Sequence, residues 1–218
     1  MDDTQGPAAP DPADLAAQLA ARLCHDFISP ASAIASGLDL LEDPTAQDMR
    51  DDAMGLISQS ARKLVSLLAF SRVAFGASAT AENFDPRELE TLARGIFAHV
   101  RPELEWAVEA AALNKAAARA TLNLVQIAAG ALPTGGVARV RAVEAEGRFA
   151  ISIEALGARA RLRPEVVAGL RGEALPEGAL GGHWVQAFYL HSLVKAAGGQ
   201  VAAEVAEERV SFAAWVPA

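Results

Sequence analysis

One cysteine, Cys24, and a single tyrosine stand in a chain of 218 residues, and aromatic residues make up only 6% of it. A lone cysteine excludes an intramolecular disulfide framework and any cysteine-rich zinc site. Long hydrophobic runs are missing as well: no stretch approaches the roughly 20 apolar residues that span a bilayer. The opening residues, MDDTQGPAAPDPAD, are acidic and proline-rich where a signal peptide is basic and then apolar, so the expected compartment is the cytoplasm. Positive charge is short, with 19 lysines and arginines against 27 aspartates and glutamates and a net charge of -8. Duplex nucleic acid and anionic membrane both need a dominant positive field, so neither is an expected partner, and proteins or small molecules are. What the chain does have is apolar material, 52% against 21% charged, which is enough to fold around a core.

Residues 1–12 carry prolines and aspartates with almost no large apolar side chain and read as a tail. Residues 13–76 read as a helical hairpin. Apolar residues recur at Leu15, Leu19, Leu23, Phe27, Ile34, Leu38 and Leu41, the steps of one helix face from about Asp14 to Leu41. Glu42-Asp43-Pro44-Thr45 breaks the pattern, and Met54, Ile57, Ala61, Leu64, Leu68 and Phe75 resume it from about Ala46 to Phe75. Two helices bury half a bundle core, so a two-fold homodimer with a four-helix bundle is expected. Gly76–Ala81 is a small-residue linker.

Residues 82–218 read as an α/β sandwich. Asp85-Pro86 opens a helix to about Val100, and further helices are expected at Lys115–Ala131 and Trp184–Ala197, the latter stopped by Gly198-Gly199. Val137–Ala145 and Arg148–Glu154 form an expected hairpin around Glu146-Gly147, and Gln200–Val205 and Arg209–Val216 a second around Glu207-Glu208. His99, His183 and His191 lack metal-ligand spacing and read as structural or surface residues. Trp106, Trp184 and Trp215 read as core.

At about 100° per residue, His25 lies opposite the stripe of Leu15, Leu19, Leu23, Pro30, Ile34 and Leu41 and faces solvent. Gln18, Arg22, Ser29, Ser32 and Ser36 share that outer face, where the small serines would let a partner's surface come close. Pro30 falls inside the helical pattern, where a proline removes a hydrogen bond and kinks the helix at a cost of about 3 kcal/mol. An exposed helical histidine alone is an ordinary surface residue; with a proline five residues downstream it becomes a candidate site.

The string Leu23-Cys24-His25-Asp26-Phe27-Ile28-Ser29-Pro30, followed by Ile34, resembles the phospho-acceptor box of histidine kinases. The hairpin is similar to that family's dimerisation and histidine-phosphotransfer domain, and the remainder to its ATP-binding domain. The nucleotide boxes depart from the family pattern. Ile127 stands where the resemblance puts the magnesium-binding asparagine, Ala155 where it puts the adenine-reading aspartate, and Arg159 replaces a glycine. Gly181-Gly182 run into His183 and Trp184 instead of a glycine-rich lid. An isoleucine cannot ligate a hard cation, so ATP is not expected to bind.

An intact histidine beside such nucleotide boxes resembles the ChpT family of histidine phosphotransferases. The resemblance implies a phosphorelay step: the receiver domain of a CckA-like hybrid kinase gives a phosphoryl group to His25, which passes it to CtrA-like and CpdR-like response regulators. It also implies that the magnesium and the reaction's lysine belong to the receiver, with no cofactor or metal bound by this chain. Neutral imidazole is a competent nucleophile near pH 7. Asp26 either orients His25 or is a solvated acid, and Arg22 either steadies phosphoryl charge or pairs with Gln18 or Asp26. Arg159, Arg161 and Arg163 would project on one side of an extended segment, either as a docking patch for an acidic receiver or as a solvated basic loop. Two other readings stand beside the carrier: an adaptor that docks receiver domains without accepting phosphate, and a divergent kinase that autophosphorylates from ATP.

Overall fold

Asp11 and Pro12 start the first helix. The Asp11 carboxylate accepts from the Ala13 N–H at 2.7 Å, and Pro12 leads α1 (Pro12–Glu42), where a proline's missing N–H has no helical partner to lose. The chain is described by a computed structural model over residues 10–76, 81–179 and 181–218. Most of the expected tail, residues 1–9, and of the expected linker, residues 77–80, lies outside the described residues. α1 passes through Pro30 as one uninterrupted α-helix, with Pro30 buried. Pro30 offers no N–H to the carbonyl of Asp26, four residues back, so the backbone beside His25 lacks one helical hydrogen bond.

The hairpin turns on Asp43, whose carboxylate accepts from both the N–H and the hydroxyl of Thr45 at 2.7 Å. These two bonds hold the Asp43 carboxyl below its ordinary range, the hydroxyl contributing more. A short 3₁₀ turn, Gln47–Met49, follows, so α2 (Arg50–Ala74) begins four residues later than the periodicity suggests. The two helices approach closely at Gly37, where a Cβ would lie 2.6 Å from the Ile57 side chain.

Beyond residue 80 come β1 (Asn83–Phe84), α3 (Pro86–Phe97), β2 (Glu103–Val108), β3 (Leu113–Asn114), α4 (Lys115–Gly130), β4 (Val137–Ala145) and β5 (Arg148–Leu156). They are followed by α5 (Pro164–Arg171), α6 (Gly181–Ala196), β6 (Gln200–Ala206) and β7 (Arg209–Pro217). The five-stranded sheet has the order β2-β4-β5-β7-β6, with β2 parallel to β4 and the other pairs antiparallel. Its register aligns Val140, Ile153 and Phe212 in one buried row. Helices cover that face, and α4 is buried nearly all round, from Ala117 to Ala129. Glu146 and Gly147, at φ 53° and 70°, make the two-residue turn expected between β4 and β5. The architecture is therefore the expected one, a helical hairpin joined to an α/β domain.

Several elements differ from the sequence reading. β2 and α5 are additional, and so are the two-residue strands β1 and β3. α5 is only eight residues, too short for periodicity to mark, although Pro164 at its start and left-handed Gly172 at its end are ordinary boundary signals. Trp184 is core as expected, with its indole N–H donating to the Glu173 carbonyl at 2.9 Å, and Trp106 packs half-buried against the core. Trp215 instead lies on the outer sheet face, because inward positions of β7 fall on Val210, Phe212, Ala214 and Val216, and the Arg148 guanidinium sits 4.5 Å from its ring centre.

The apolar stripe of α1 is also shared between two partners. Leu15 and Leu19 pack on a cluster of Ala168, Trp184, Val185 and Phe188 from α5 and α6. That cluster closes because Gly169 lets the two helices touch: a Cβ there would lie 2.7 Å from the Trp184 carbonyl oxygen and 2.9 Å from the Phe188 nitrogen. Backbone atoms cannot swing aside. Gly169→Ala is expected to lower unfolding stability by about 1–3 kcal/mol, the usual cost of overpacking; urea denaturation checks this, and an unchanged midpoint would contradict the packing described.

Candidate functional site

His25 lies on α1 with its side chain 83% exposed, as the helical wheel anticipates. Its only ion-pair or hydrogen-bond partner among the described residues is Asp26, whose Oδ1 is 3.4 Å from the imidazole Nδ1. Asp26 is itself held: its Oδ2 accepts from the Arg22 Nε at 3.0 Å, an i, i+4 pair whose side chains are 24% and 15% exposed. Arg22 in turn donates to the carbonyl of Gly182 in the first turn of α6. One chain of contacts therefore runs from α6 through Arg22 and Asp26 to His25.

This corrects the expected placement of Arg22 and Gln18 on an open outer face. Both are partly buried, because α6 crosses the first half of α1, and glycines at positions 181 and 182 keep that crossing close. Of the two roles open to Arg22, the structure shows pairing with Asp26. Ser29 and Ser32 are exposed as expected, and Pro30 is buried.

The imidazole stands at a cleft of about 350 Å³ between the hairpin and the α/β domain. Arg22, His25, Asp26 and Ser29 form one wall, and Lys63 and Leu67 come from α2. The far side is Ile96 in the last turn of α3 and His99 and Val100 just after it, with Gln126, Ala129 and Gly130 at the end of α4. His99, Lys63 and Gln126 belong to the cleft without any local sequence signal, since helices distant in sequence bring them there.

A second, smaller pocket of about 170 Å³ adjoins the cleft and shares Arg22, Gln126 and Gly130 with it. Ile127, Ala131 and Val166 supply apolar lining, and Arg161, Arg163 and His183 stand around it. The trio of arginines is thus divided. Residues 158 and 159 form a turn, and the segment after it, Arg161, Leu162 and Arg163, lines the pocket while Arg159 does not. His183, read from sequence as structural or surface, is a pocket residue; burial first, and then the charges of Arg22 and Arg163, hold its pKa below the ordinary imidazole value against the opposing pull of Glu165 and Asp26.

Ile127 is almost fully buried in the core, and Ala155 is a buried methyl in β5. Neither position carries a donor for a cation or a purine. Asn123 in α4 is committed elsewhere: its amide donates to the carbonyls of Ala74 and Arg119, both at 2.9 Å, and its oxygen accepts from Gln186. Among the described residues no group of three or more histidine, cysteine, aspartate or glutamate side chains is placed to hold a metal. No helix among them is long and apolar enough to cross a membrane.

Residues 86–209 match the family described as "Histidine phosphotransferase C-terminal domain". The chain is 35% identical over 204 residues to the protein phosphotransferase ChpT of Brucella abortus (strain 2308), covering 92% of this chain and 95% of that one. A solved bacterial phosphotransferase superposes with a TM-score of 0.85 at 33% identity, covering 96% of this chain and 100% of the other. Full-length ShkA in complex with AMPPNP is a more distant neighbour, at TM-score 0.49 and 18% identity over 92% of this chain and 45% of that chain. The chain belongs to the histidine phosphotransferase family.

Proposed function

We propose that the chain is a phosphorelay carrier in which His25 accepts a phosphoryl group from the receiver domain of a hybrid histidine kinase and delivers it to response-regulator aspartates. The observation that carries this reading is an exposed imidazole whose Nδ1 faces a fixed carboxylate. A carboxylate accepts hydrogen bonds and donates none, so Asp26 favours the tautomer protonated at Nδ1 and leaves the Nε2 lone pair pointing out. Nε2 attacks phosphorus, the P–N bond forms, and the P–O bond of the donor's acyl phosphate breaks with its electrons returning to the aspartate. The phosphorylated ring is cationic, and Asp26 stabilises the proton that stays on Nδ1. Reversing the geometry passes the group on.

Such a transfer needs positioning more than protein-side chemistry. The cleft supports that need, because its walls come from both parts of the chain, and Ser29 at its edge with Ser32 nearby on α1 leaves room for a partner backbone. Magnesium belongs to the receiver in this reading. ATP is not a substrate of the chain, a reading supported by the hydrocarbon side chains at Ile127 and Ala155.

The hairpin also supports a homodimer. Ile28 and Leu38 on α1, with Met54, Val65 and Leu68 on α2, are large apolar side chains between 47% and 66% exposed. Apolar surface gathered on one hairpin marks a protein interface, and the four-helix bundle of two copies would cover it. Sedimentation equilibrium is expected to give twice the 22.7 kDa chain mass; a single-chain mass would contradict the dimer.

Incubation with a phosphorylated receiver domain is expected to put acid-labile label on the wild-type chain, and incubation with magnesium ATP alone to put none. His25→Ala should take no label. Retained label in that variant would move the acceptor elsewhere, label from ATP alone would make the chain a kinase, and no label on the wild type would leave the adaptor. Asp26→Ala should slow transfer roughly 10- to 100-fold, the equivalent of one hydrogen bond to a charged group, while keeping the final extent of labelling; rapid-quench kinetics separates the two.

A further inference from the structure

The pocket beside the cleft has a composition that the relay does not use. Its lining contains three arginines and a histidine and no acidic side chain, in a chain whose net charge is -8. The neighbouring acids are already engaged: Asp26 pairs with Arg22 at 3.0 Å, and Glu165 lies 3.9 Å from Arg163. The Arg161 guanidinium has no hydrogen-bond or ion-pair partner among the described residues. Its backbone is nevertheless fixed, the Arg161 N–H donating to the Ala131 carbonyl at 3.0 Å just past the end of α4. Arg22 and Arg163 each have a carboxylate beside them, so Arg161 is the charge left uncompensated, and an anion in the pocket would be drawn to it.

We propose that this pocket binds a compact, multiply charged anion of the phosphate class, held by Arg22, Arg161, Arg163 and His183. Guanidinium forks match phosphate oxygens in pairs, and His183 sits in the first turn of α6, where the helix dipole favours negative charge. Burial is the first cause of the lowered His183 pKa, and the charges of Arg22 and Arg163 add to it; an anion beside them would offset that second contribution. Size sets the ligand class. About 170 Å³ is below the roughly 300–1,000 Å³ of ordinary small-molecule sites, a size that suits inorganic phosphate or pyrophosphate. The inference goes beyond the relay reading and stands without it.

Isothermal titration with sodium phosphate and with sodium pyrophosphate, at ionic strength held constant with sodium chloride, tests the site. Saturable one-site binding is expected on the full chain, weakened at least ~10-fold, about 1.4 kcal/mol, by Arg161→Gln with Arg163→Gln. Arg159→Gln should bind as the wild type does, and so should His25→Ala, which separates this site from the relay histidine. Circular dichroism melting without anion verifies that each variant is folded. Absence of saturable binding at millimolar anion would overturn the proposal, as would equal binding by the double variant or equal weakening by Arg159→Gln. Tighter binding of ATP than of pyrophosphate would show that a nucleoside is recognised and would overturn the compact-anion assignment.

Discussion

The Arg22 guanidinium ties the two parts of this molecule to one another and to the histidine between them. One of its nitrogens donates to the first turn of α6 and another holds Asp26 at 3.0 Å. Around that tie, Leu15 and Leu19 pack on Trp184, Val185 and Phe188, so the polar contact is set in an apolar seam. The significance of Arg22 lies in orientation: it fixes Asp26, and Asp26 faces one chosen nitrogen of His25.

That arrangement accounts for a histidine that is exposed and yet oriented. A buried imidazole could not meet the aspartyl phosphate of another protein, and a free one would sample both tautomers. In the proposed relay the hairpin supplies the nucleophile, and the α/β domain supplies the opposite wall of the cleft through residues 96–100 and the end of α4. The sheet itself does no chemistry. Its row of Val140, Ile153 and Phe212 holds α4 in place, and α4 then presents Gln126 and Gly130 to the cleft.

Much of the fold was legible because it rests on local periodicity and turn chemistry. α1, α2, α4, α6 and the strands of both hairpins have the spacing that their environment demands, and Glu146-Gly147 marks its turn plainly. The exposure of His25 followed from the same wheel. What the wheel could not show was a second partner for α1: it sorts residues relative to one apolar stripe, and Arg22 and Gln18 look open until α6 is laid across them. The same limit hid His99, Lys63 and His183, which reach their sites through tertiary packing. The three arginines illustrate a different failure. Alternation implies a shared side only while the backbone stays extended, and the turn at residues 158 and 159 separates Arg159 from the others.

The position of the phosphoryl group on the ring tests the central claim most directly. Heteronuclear NMR of the chain labelled with ¹⁵N at histidine, before and after phosphorylation by a receiver domain, distinguishes the two nitrogens by their shifts and phosphorus couplings. The account predicts a phosphoryl group on Nε2 of His25 with Nδ1 still protonated. Phosphorylation at Nδ1 would contradict it, because the nitrogen facing Asp26 would then be the nucleophile and the chain from α6 through Arg22 would have no part in directing the attack.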